Sequence, residues 1–305
     1  MVTIPDRLVN ILSKIPYLGK HLHQYVQFKK NACYPAGHYH SPIVEVDEIR
    51  KCRDTIWPEE YLDSVAGIDL NTDAQLKLVG ELAAYYGEMP FGREKQPGLR
   101  YHFENRFYSY TDAIFLYAMI RHYKPTQIIE AGSGFSSAVM LDTNEFFFDN
   151  QICLTFIEPH TERLESLLTD KDHGSTTIFR QPVQSVPVEI FEELKTGDIL
   201  LIDSSHVAKT GSDVNYVLFD VLPRLKSGVL VHFHDIFYPF EYPRDWVFSG
   251  RNWNEVYMLK AFLMYNDTFE VKLFSHHLHK RHPGAFESMP LCYRNPGGNL
   301  WLAKK

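Results

Sequence analysis

Four acidic residues each close a predicted strand in this chain, and together they could bind a ligand. They are Glu130, Glu158, Asp203 and Asp235. In an α/β sheet the carboxyl ends of the parallel strands lie along one edge, and ligands bind just beyond that edge. One acid after a strand is often only a turn residue or a helix cap. Because four strands end in this way, we predict a polar binding edge built from several strands.

A glycine turn follows the first of these acids. Residues 127–141, QIIEAGSGFSSAVML, place Gly132, Ser133 and Gly134 between a β-branched run ending in Glu130 and the start of a helical run. Glycine has no Cβ, so it adopts positive φ readily and lets a ligand approach the backbone. The first N–H groups of a helix have no partners within that helix. Strand, glycine turn and helix predict the opening unit of a nucleotide-binding sheet.

Glu158 closes the next strand. At that position in nucleotide-binding sheets, an acid accepts hydrogen bonds from the two ribose hydroxyls. We predict that role for Glu158, with a turn cap as the alternative. The dinucleotide pattern G-x-G-x-x-G would need a glycine where this chain has Ser137. The glycine turn therefore disfavours NAD as the ligand.

Strands and helices alternate after the glycine turn. The further predicted strands are residues 152–157, 176–179, 198–202, 229–233, 269–274 and 299–303, and the further helices are residues 161–168, 188–194, 213–225 and 254–265. Such alternation predicts an α/β fold with a mostly parallel sheet that is covered by helices on both faces. We predict two domains: an N-terminal α-helical cap of residues 1–105 and a catalytic domain of residues 106–305.

The N-terminal residues carry apolar side chains at near-helical spacing and more bases than acids. The apolar residues are Leu8, Ile11, Leu12, Ile15, Leu18, Leu22 and Val26. One hypothesis is a helix that rests on an anionic membrane surface or a partner. The favoured hypothesis is a helical arm that packs on its own domain or on a second subunit of a homo-oligomer. In the next loop, His38 and His40 are either solvated, hydrogen-bonded residues or contributors to the active site, and both alternatives are open.

Composition narrows the class of protein. The net charge of the 305-residue chain is −7, which gives no electrostatic support for nucleic-acid binding. The four cysteines form no CxxC pair, so a disulfide framework or a cysteine zinc site is disfavoured. No apolar run reaches membrane-spanning length, and the first residues have no signal-peptide core. We expect a cytoplasmic protein.

The ordered set of sequence blocks resembles the class I S-adenosylmethionine-dependent methyltransferases. The matching blocks are Glu130–Gly134, Phe156–Pro159, Leu201–His206, Val231–Asp235 and Gly298–Leu302. The resemblance implies a Rossmann-like, seven-stranded sheet whose last strand lies antiparallel between two others. It implies S-adenosylmethionine as cofactor, bound near Glu130, Gly132, Ser133, Gly134 and Glu158, with Gln184 beside the adenine.

A narrower resemblance concerns the chemistry. Asp203 and His206, followed by His234 and Asp235, are similar to the site of metal-dependent O-methyltransferases of the catechol and macrolide-sugar kind. The resemblance implies that Asp203, His234 and Asp235 hold a divalent cation and that His206 is the general base. The family usually has Asp or Asn where this chain has His234, and imidazole suits zinc, manganese or iron better than magnesium. Magnesium, manganese and zinc are the candidates. A His-Asp pair that is only hydrogen-bonded is the alternative to a metal site.

Three functions follow from these interpretations. The favoured one is methyl transfer to a hydroxyl of a small molecule or glycan. Its alternative is a partner-binding or regulatory protein that retains the nucleotide pocket without turnover. A third, an oxygenase with His232, His234 and an acid around iron, leaves the glycine turn unexplained.

Two histidine- or aromatic-rich segments lie in the C-terminal third. Tyr238, Tyr242 and Trp246 belong to residues 236–252, which we predict to be a substrate lid or a plug for the protein's own surface. His276, His277, His279 and His282 are predicted to lie in a surface loop before the last strand.

Overall fold

The structure, a computed structural model, describes residues 15–58 and 64–305. Leu8, Ile11 and Leu12 of the predicted N-terminal helix lie outside these described residues. The described chain forms two compact units, one of residues 15–58 and 244–252 and the other of residues 64–243 and 253–305. The units therefore do not divide at residue 105.

The helices and strands follow one another in an α/β order. The α-helices are α1 (Pro16–Asn31), α2 (Val46–Lys51), α3 (Arg53–Ile56), α4 (Thr72–Leu82), α5 (Thr111–Tyr123), α6 (Phe135–Phe148), α7 (Glu162–Glu165), α8 (Asp172–Ser175), α9 (Glu189–Glu192), α10 (Asp213–Tyr216), α11 (Arg244–Phe248), α12 (Glu255–Leu263) and α13 (Ser275–Arg281). The strands are β1 (Gln127–Ala131), β2 (Cys153–Ile157), β3 (Thr176–Phe179), β4 (Ile199–Ile202), β5 (Leu230–Phe233), β6 (Phe269–Phe274) and β7 (Leu300–Lys304). Short 3₁₀ helices span Ala83–Glu88, Val183–Ser185, Leu222–Arg224, Pro283–Phe286 and Pro290–Arg294.

The seven strands form one sheet in the order β3-β2-β1-β4-β5-β7-β6. Strands β1 to β5 are parallel, and β7 runs antiparallel to both β5 and β6. The predicted α/β class, the strand number and the antiparallel last strand are confirmed. The order reverses between β1 and β4, which is where such sheets open a ligand-binding crevice at their carboxyl edge.

The central strands are buried because the sheet lies inside the larger unit. All residues of β4, Ile-Leu-Leu-Ile, are buried, as are all residues of β5. Strands buried on both faces read as continuous apolar runs. In the same core cluster, Leu78 of α4 and the loop residues Phe91 and Tyr101 pack with Ile128 of β1. Residues 64–105 thus belong to the body of the sheet domain and not to a separate cap.

One predicted helix is shorter than expected. The sequence favours a helix over residues 213–225, but α10 ends at Tyr216, and a π-helical turn at Val217–Val221 and a 3₁₀ helix at Leu222–Arg224 follow. Proline has no N–H and clashes with the preceding helical turn, so Pro223 prevents a regular α-helix here.

Buried charges anchor the polar segment that precedes α5. The Arg100 guanidinium contacts Asp142 of α6 and Asp172 of α8, each at 2.8 Å, and both carboxylates are buried. Glu145 of α6 adds a contact at 2.8 Å. Asp142 also accepts the N–H of Tyr101 at 2.9 Å. A segment without regular secondary structure is thereby fixed to two helices.

The smaller unit contains α1, α11 and the short helices α2 and α3. Trp57 packs edge-to-face on Phe248 of α11 at 5.7 Å between ring centroids, and the Arg50 guanidinium lies 5.2 Å from the Phe248 ring centroid. On α1, Tyr25 and Val26 are exposed. The membrane and subunit hypotheses for this helix stay predictions.

His276, His277 and His279 lie in helix α13, and His282 directly follows its end, so the prediction of a surface loop was wrong. His277 is buried, and His279 stacks on Phe286 at 3.8 Å between ring centroids. His276 Nδ1 accepts the Tyr238 N–H at 2.9 Å. These contacts with neighbouring side chains and backbone give the three imidazoles a structural role.

His276 gives a prediction for stability against pH. Burial, with the nearby charge of Lys280, lowers the pKa of His276 to about 3, below the ordinary value of about 6.5. The unfolded chain therefore binds a proton that the folded chain does not, and stability falls as the pH drops from about 6.5 towards 3. We expect His276→Asn, which keeps an acceptor for the Tyr238 N–H, to lose less stability between pH 7.5 and pH 5. Denaturant titrations at both pH values measure this. His23→Asn, at an exposed position of α1, is the control, and an acid sensitivity of His276→Asn equal to that of wild type would contradict the prediction.

Candidate active site and donor pocket

The glycine turn joins the ends of three strands. Gly132 has a φ of 87°, and its N–H donates to the Ile157 carbonyl oxygen at 3.0 Å. The Asp203 N–H donates to the Ala131 carbonyl oxygen at 2.8 Å. A Cβ on Gly132 would lie 1.7 Å from the Asp203 carbonyl oxygen. The end of β1 is therefore held between the ends of β2 and β4, and only glycine fits at position 132.

Gly132→Ala is expected to lower the free energy of unfolding by at least about 1–3 kcal/mol, the cost of a strained backbone, and to displace the turn from Asp203. Gly80→Ala is the matched control, because Gly80 lies in α4 and an added Cβ there meets nothing within 4 Å. Alanine favours a helix over glycine, so this control should keep or raise stability. Chemical denaturation compares the two variants, and equal midpoints would contradict the expectation.

A cavity of about 400 Å³ opens at the carboxyl ends of β1, β2 and β4. We call it the larger cavity. Its lining includes Gly132, Glu158, Pro182, Gln184, Ser204 and Asp213. The Gln184 side-chain N–H donates to the Gly211 carbonyl oxygen at 3.1 Å. The volume lies in the range of small-molecule sites, about 300–1,000 Å³, and three predicted cofactor residues (Gly132, Glu158 and Gln184) face this space.

The Glu158 carboxylate is oriented by the backbone. Oε2 accepts the Ser133 N–H at 3.1 Å, and Oε1 accepts the His160 N–H at 2.8 Å. Each carboxylate oxygen has a second acceptor site. The remaining acceptor capacity would suit a pair of hydroxyls such as those of a ribose, and the ribose role of Glu158 stays a prediction.

A smaller cavity, of about 50 Å³, also borders the glycine turn. Phe107, Ser133, Gly134, Arg163 and Asp203 are among its lining residues. Ser133 is buried, and its Oγ has no hydrogen-bond partner in the described structure. The predicted turn residues Ser133 and Gly134 therefore border this second space.

Glu130 lies beneath the turn and lines neither cavity. Its carboxylate accepts hydrogen bonds from Ser136 Oγ at 2.5 Å and from Ser137 Oγ. Burial raises its pKa to about 8. Ser137 Oγ in turn accepts the Gly134 N–H at 2.9 Å. Glu130 thus fixes the start of α6, so any effect on a ligand passes through the turn.

Two carboxylates and one imidazole converge at the ends of β4 and β5. His206 Nε2 lies 3.3 Å from Asp203 Oδ1 and 3.8 Å from Asp235 Oδ2. These three side chains can place one ligand atom each within 4.8 Å of one another. His206 and Asp235 both have a φ of 58°, a strained backbone that is concentrated at functional sites. Carboxylate oxygens and an imidazole nitrogen form a donor set for a divalent cation.

Glu255 orients His206. The His206 Nδ1 lies 2.8 Å from Glu255 Oε2, and Glu255 is buried. Because a carboxylate can only accept, Nδ1 carries the proton and Nε2 faces the two aspartates. The Trp253 ring lies 4.5 Å from the His206 ring between centroids. Burial alone would lower the pKa of His206, but Asp203 and Glu255 outweigh it and raise the pKa to about 10.

His234 lies on the far side of Asp203. Its Nδ1 is 3.2 Å from Asp203 Oδ1 and 3.7 Å from Asp235 Oδ1, and its Nε2 is 3.5 Å from Asp112 Oδ2. Burial opposes ionisation, but the charges of Asp203, Asp235 and Asp112 raise the pKa of His234 well above its ordinary value. The same histidines, with burial opposing them, hold the pKa of Asp203 below its ordinary value. The converging set contains His206, whereas the predicted metal set contained His234.

His232 does not join this cluster. It is buried beside Trp301, and its Nε2 lies 3.3 Å from the Tyr108 hydroxyl oxygen. Burial lowers the pKa of His232 well below its ordinary value. His232, His234 and one acid therefore do not form a two-histidine, one-carboxylate iron site, and the oxygenase alternative has no structural support.

Two site residues are not predictable from the sequence. Glu255 begins α12, and Asp112 lies in the first turn of α5, where it accepts the Gly298 N–H at 3.0 Å. Acids at helix starts are normally explained by the helix dipole. Their position in the sequence carries no signal that they hold His206 and His234.

The other predicted residues do not contribute to this cluster. In the smaller unit, His38 stacks on Tyr34 at 4.4 Å between centroids and its Nδ1 accepts the His40 N–H at 3.1 Å. Trp246 also belongs to the smaller unit, on α11. Tyr238 and Tyr242 are buried in the larger unit, and the lid and plug hypotheses for residues 236–252 stay predictions.

Comparison with known proteins supplies the family. Residues 129–236 match the sequence model of a methyltransferase domain. The chain is 32% identical over 165 residues to an uncharacterised protein of Archaeoglobus fulgidus, and the match covers 53% of this chain and 74% of that protein. The region that matches the domain model contains the glycine turn and the strand-end acids Glu130 and Glu158. It also contains Asp203, His206 and Asp235. The chain belongs to the class I S-adenosylmethionine-dependent methyltransferases.

Two methyltransferases are among the solved structures that are similar to this chain. A methyltransferase of Podospora anserina bound to S-adenosylhomocysteine is 12% identical, with a TM-score of 0.40, and the match covers 90% of this chain and 99% of that one. An O-methyltransferase of Bacillus cereus in complex with S-adenosylhomocysteine is 9% identical, with a TM-score of 0.39, over 86% of this chain and 100% of that one.

The methyltransferase shows two further features relevant to its setting. Its four cysteines, all within the described residues, are free. In the part of the chain that the structure describes, no helix is long and apolar enough to cross a membrane.

Proposed function

We propose that this methyltransferase transfers the methyl group of S-adenosylmethionine to a hydroxyl of a small molecule or glycan. The observation that carries the proposal is the convergence of Asp203, His206 and Asp235 beside the cavity that Gly132 and Glu158 line. A hydroxyl acceptor needs a group that removes its proton, whereas a sulfonium donor is already activated. The cluster supplies the candidate base next to the donor cavity.

The donor fits the larger cavity by three observations. The backbone at Gly132 is open to the space, Glu158 keeps free acceptor capacity, and Ser204 Oγ is buried without a partner in the described structure. When bound, the donor supplies a methyl group on a positively charged sulfur. The residues of the turn and Glu158 bind and orient it, since methyl transfer requires the acceptor oxygen in line with the methyl carbon.

Asp203 and Asp235 would hold a divalent cation, and the imidazole of His206 lies where it could complete the donor set. Two carboxylates and one imidazole form a donor set that suits manganese or zinc. Magnesium is a further candidate because it prefers oxygen ligands, which the two carboxylates supply. Such a cation would lower the pKa of an acceptor hydroxyl and fix its direction. The Glu255 hydrogen bond to His206 is the outer contact that orients an imidazole ligand in metal sites.

His206 is proposed as the general base, as the resemblance to metal-dependent O-methyltransferases implied. Nε2 faces Asp203 and Asp235, and Glu255 holds the ring in that orientation. Without a cation, the raised pKa of His206 keeps the ring protonated at neutral pH. A divalent cation held by the two aspartates would lower that pKa, so that Nε2 could accept the proton of the hydroxyl. A second role, third ligand of the cation, is favoured by the same distances. The two roles give different results when His206 is replaced, because loss of a ligand weakens metal binding and loss of a base does not.

We further propose a sugar or ring-shaped acceptor that packs on Trp253, because this indole already borders His206. A cytoplasmic location, a homo-oligomer and a membrane or subunit contact through α1 are retained as proposals. They rest on the unpaired cysteines and on the basic, partly exposed N-terminal helix.

Calorimetric titration of the protein with S-adenosylmethionine, beside NAD and with or without a chelator, tests the proposal. We expect the donor to bind and NAD not to bind. A chelator should leave donor affinity unchanged but remove turnover in an acceptor screen over glycans and phenols. Donor binding without turnover of any acceptor, with the metal restored, would favour the alternative of a regulatory protein. Binding of neither nucleotide would contradict the proposed function.

A further inference from the structure

The smaller cavity contains a basic side chain that the proposed reaction has not used. Arg163, on α7, lines this space together with Ser133 and Gly134 of the glycine turn. Its guanidinium carbon lies 3.7 Å from the Phe107 ring centroid. A Cβ on Gly134 would lie 3.0 Å from Arg163 Cδ. The side chain is therefore held between the turn and an aromatic ring.

Arg163 forms no ion pair within the described part of the chain, whereas Arg180 does. Arg180 contacts Glu165, which lies on the same helix as Arg163, at 2.8 Å. Cation–π contact with an exposed ring such as Phe107 positions a guanidinium but leaves its N–H donors available. A guanidinium with available N–H donors beside a small cavity can bind one carboxylate through two parallel hydrogen bonds.

Two more donors face the same small cavity. Ser133 Oγ is buried and has no hydrogen-bond partner in the described structure. Helix α6, of 14 residues, begins at Phe135, so its first N–H groups border the cavity. A helix start favours negative charge. Hydroxyl, helix start and guanidinium together form a site for an anionic group.

The acids of the same cavity indicate which anion is bound. Glu158, which already accepts two backbone N–H groups, and Asp203 also line this cavity. A ligand that carries both an ammonium group and a carboxylate matches this combination of acidic and basic side chains. The amino-acid moiety of S-adenosylmethionine has that chemistry, and the smaller cavity adjoins the proposed donor cavity at Gly132.

We propose that Arg163 binds the α-carboxylate of the methyl donor, with Ser133 Oγ as a second hydrogen-bond donor. The inference rests on the proposed function, because it concerns the same donor. It makes Arg163 a determinant of donor specificity: nucleosides without an α-carboxylate gain nothing from it.

The test uses two ligands that differ only in this carboxylate, S-adenosylmethionine and decarboxylated S-adenosylmethionine. Calorimetry gives the affinity of each for wild type, Arg163→Ala, Arg163→Lys and Arg180→Ala. We expect Arg163→Ala to weaken S-adenosylmethionine about 10- to 100-fold, as for hydrogen bonds to charged groups, and the decarboxylated ligand less than about twofold. Arg163→Lys should fall between, since lysine keeps the charge without the planar fork. Arg180→Ala should change neither affinity.

Equal weakening of both ligands, or no weakening, would overturn the role of Arg163. Arg163→Gln repeats the comparison with a side chain of similar length if Arg163→Ala has an altered melting temperature. Failure of wild type to bind S-adenosylmethionine at all is a different result, and it would contradict the proposed function itself.

Discussion

Arg100→Ala is expected to lower the free energy of unfolding by about 3–5 kcal/mol, because it leaves buried carboxylates without their cation. The side chain of Arg100 is 8% exposed, and those of Asp142 and Asp172 are 0% and 5% exposed. Burial raises the pKa of Asp142 above its ordinary value. For Asp172, burial acts in the same direction, but hydrogen bonds from Arg100 and Thr169 outweigh it and lower the pKa. Without Arg100, both carboxylates must either stay charged in the core or bind protons.

Arg93→Ala is the matched control for this change. Arg93 belongs to the same segment and contacts Glu104 at 3.1 Å, but both side chains are about half exposed or more. Exposed ion pairs contribute about 0–1 kcal/mol. Urea denaturation at pH 7.5 measures both variants. If Arg100→Ala were no less stable than Arg93→Ala, the ion cluster would not hold the segment to α6 and α8.

The sheet was predictable because its signals are local. Each central strand is a short apolar run that ends in a polar residue, and burial on both faces leaves no room for alternation. Gly132 is local as well, since its turn needs positive φ and a close approach of Asp203. Because these signals lie within short stretches of sequence, they also predict a binding edge lined by strand-end acids, where the larger cavity opens.

The partners of the site residues were not predictable because they come from distant parts of the chain. Glu255 reaches His206 across 49 residues, and Asp172 reaches Arg100 across 72. A helix-start acid looks the same in sequence whether it caps a helix or orients a catalytic histidine. Which histidine joins the two aspartates likewise depends on the path of the loop after β4, where His206 takes positive φ.

His206→Ala is expected to lower kcat by about 10²- to 10⁴-fold, the usual contribution of a general base, with little change in the affinity for S-adenosylmethionine. The reason is positional: Nε2 faces Asp203 and Asp235, while His206 itself does not line the donor cavity. Single-turnover rates and calorimetry separate the two quantities. His173→Ala, at an exposed position on α8, is the control and should retain full activity.

Manganese affinity distinguishes the two roles of His206. If His206 is the base, its replacement should leave the affinity for Mn²⁺ unchanged. If His206 is the third ligand, its replacement should lower the affinity for Mn²⁺ at least tenfold, in the range seen when contacts of metal sites are lost. Asp203→Asn should weaken Mn²⁺ and abolish turnover under either role. Glu255→Gln keeps the shape of the orienting residue but removes its charge, so it should lower kcat while leaving Mn²⁺ bound if His206 is the base. A wild-type rate in His206→Ala would exclude both roles and leave Asp203 and Asp235 as the acidic groups of the cluster able to act on the hydroxyl.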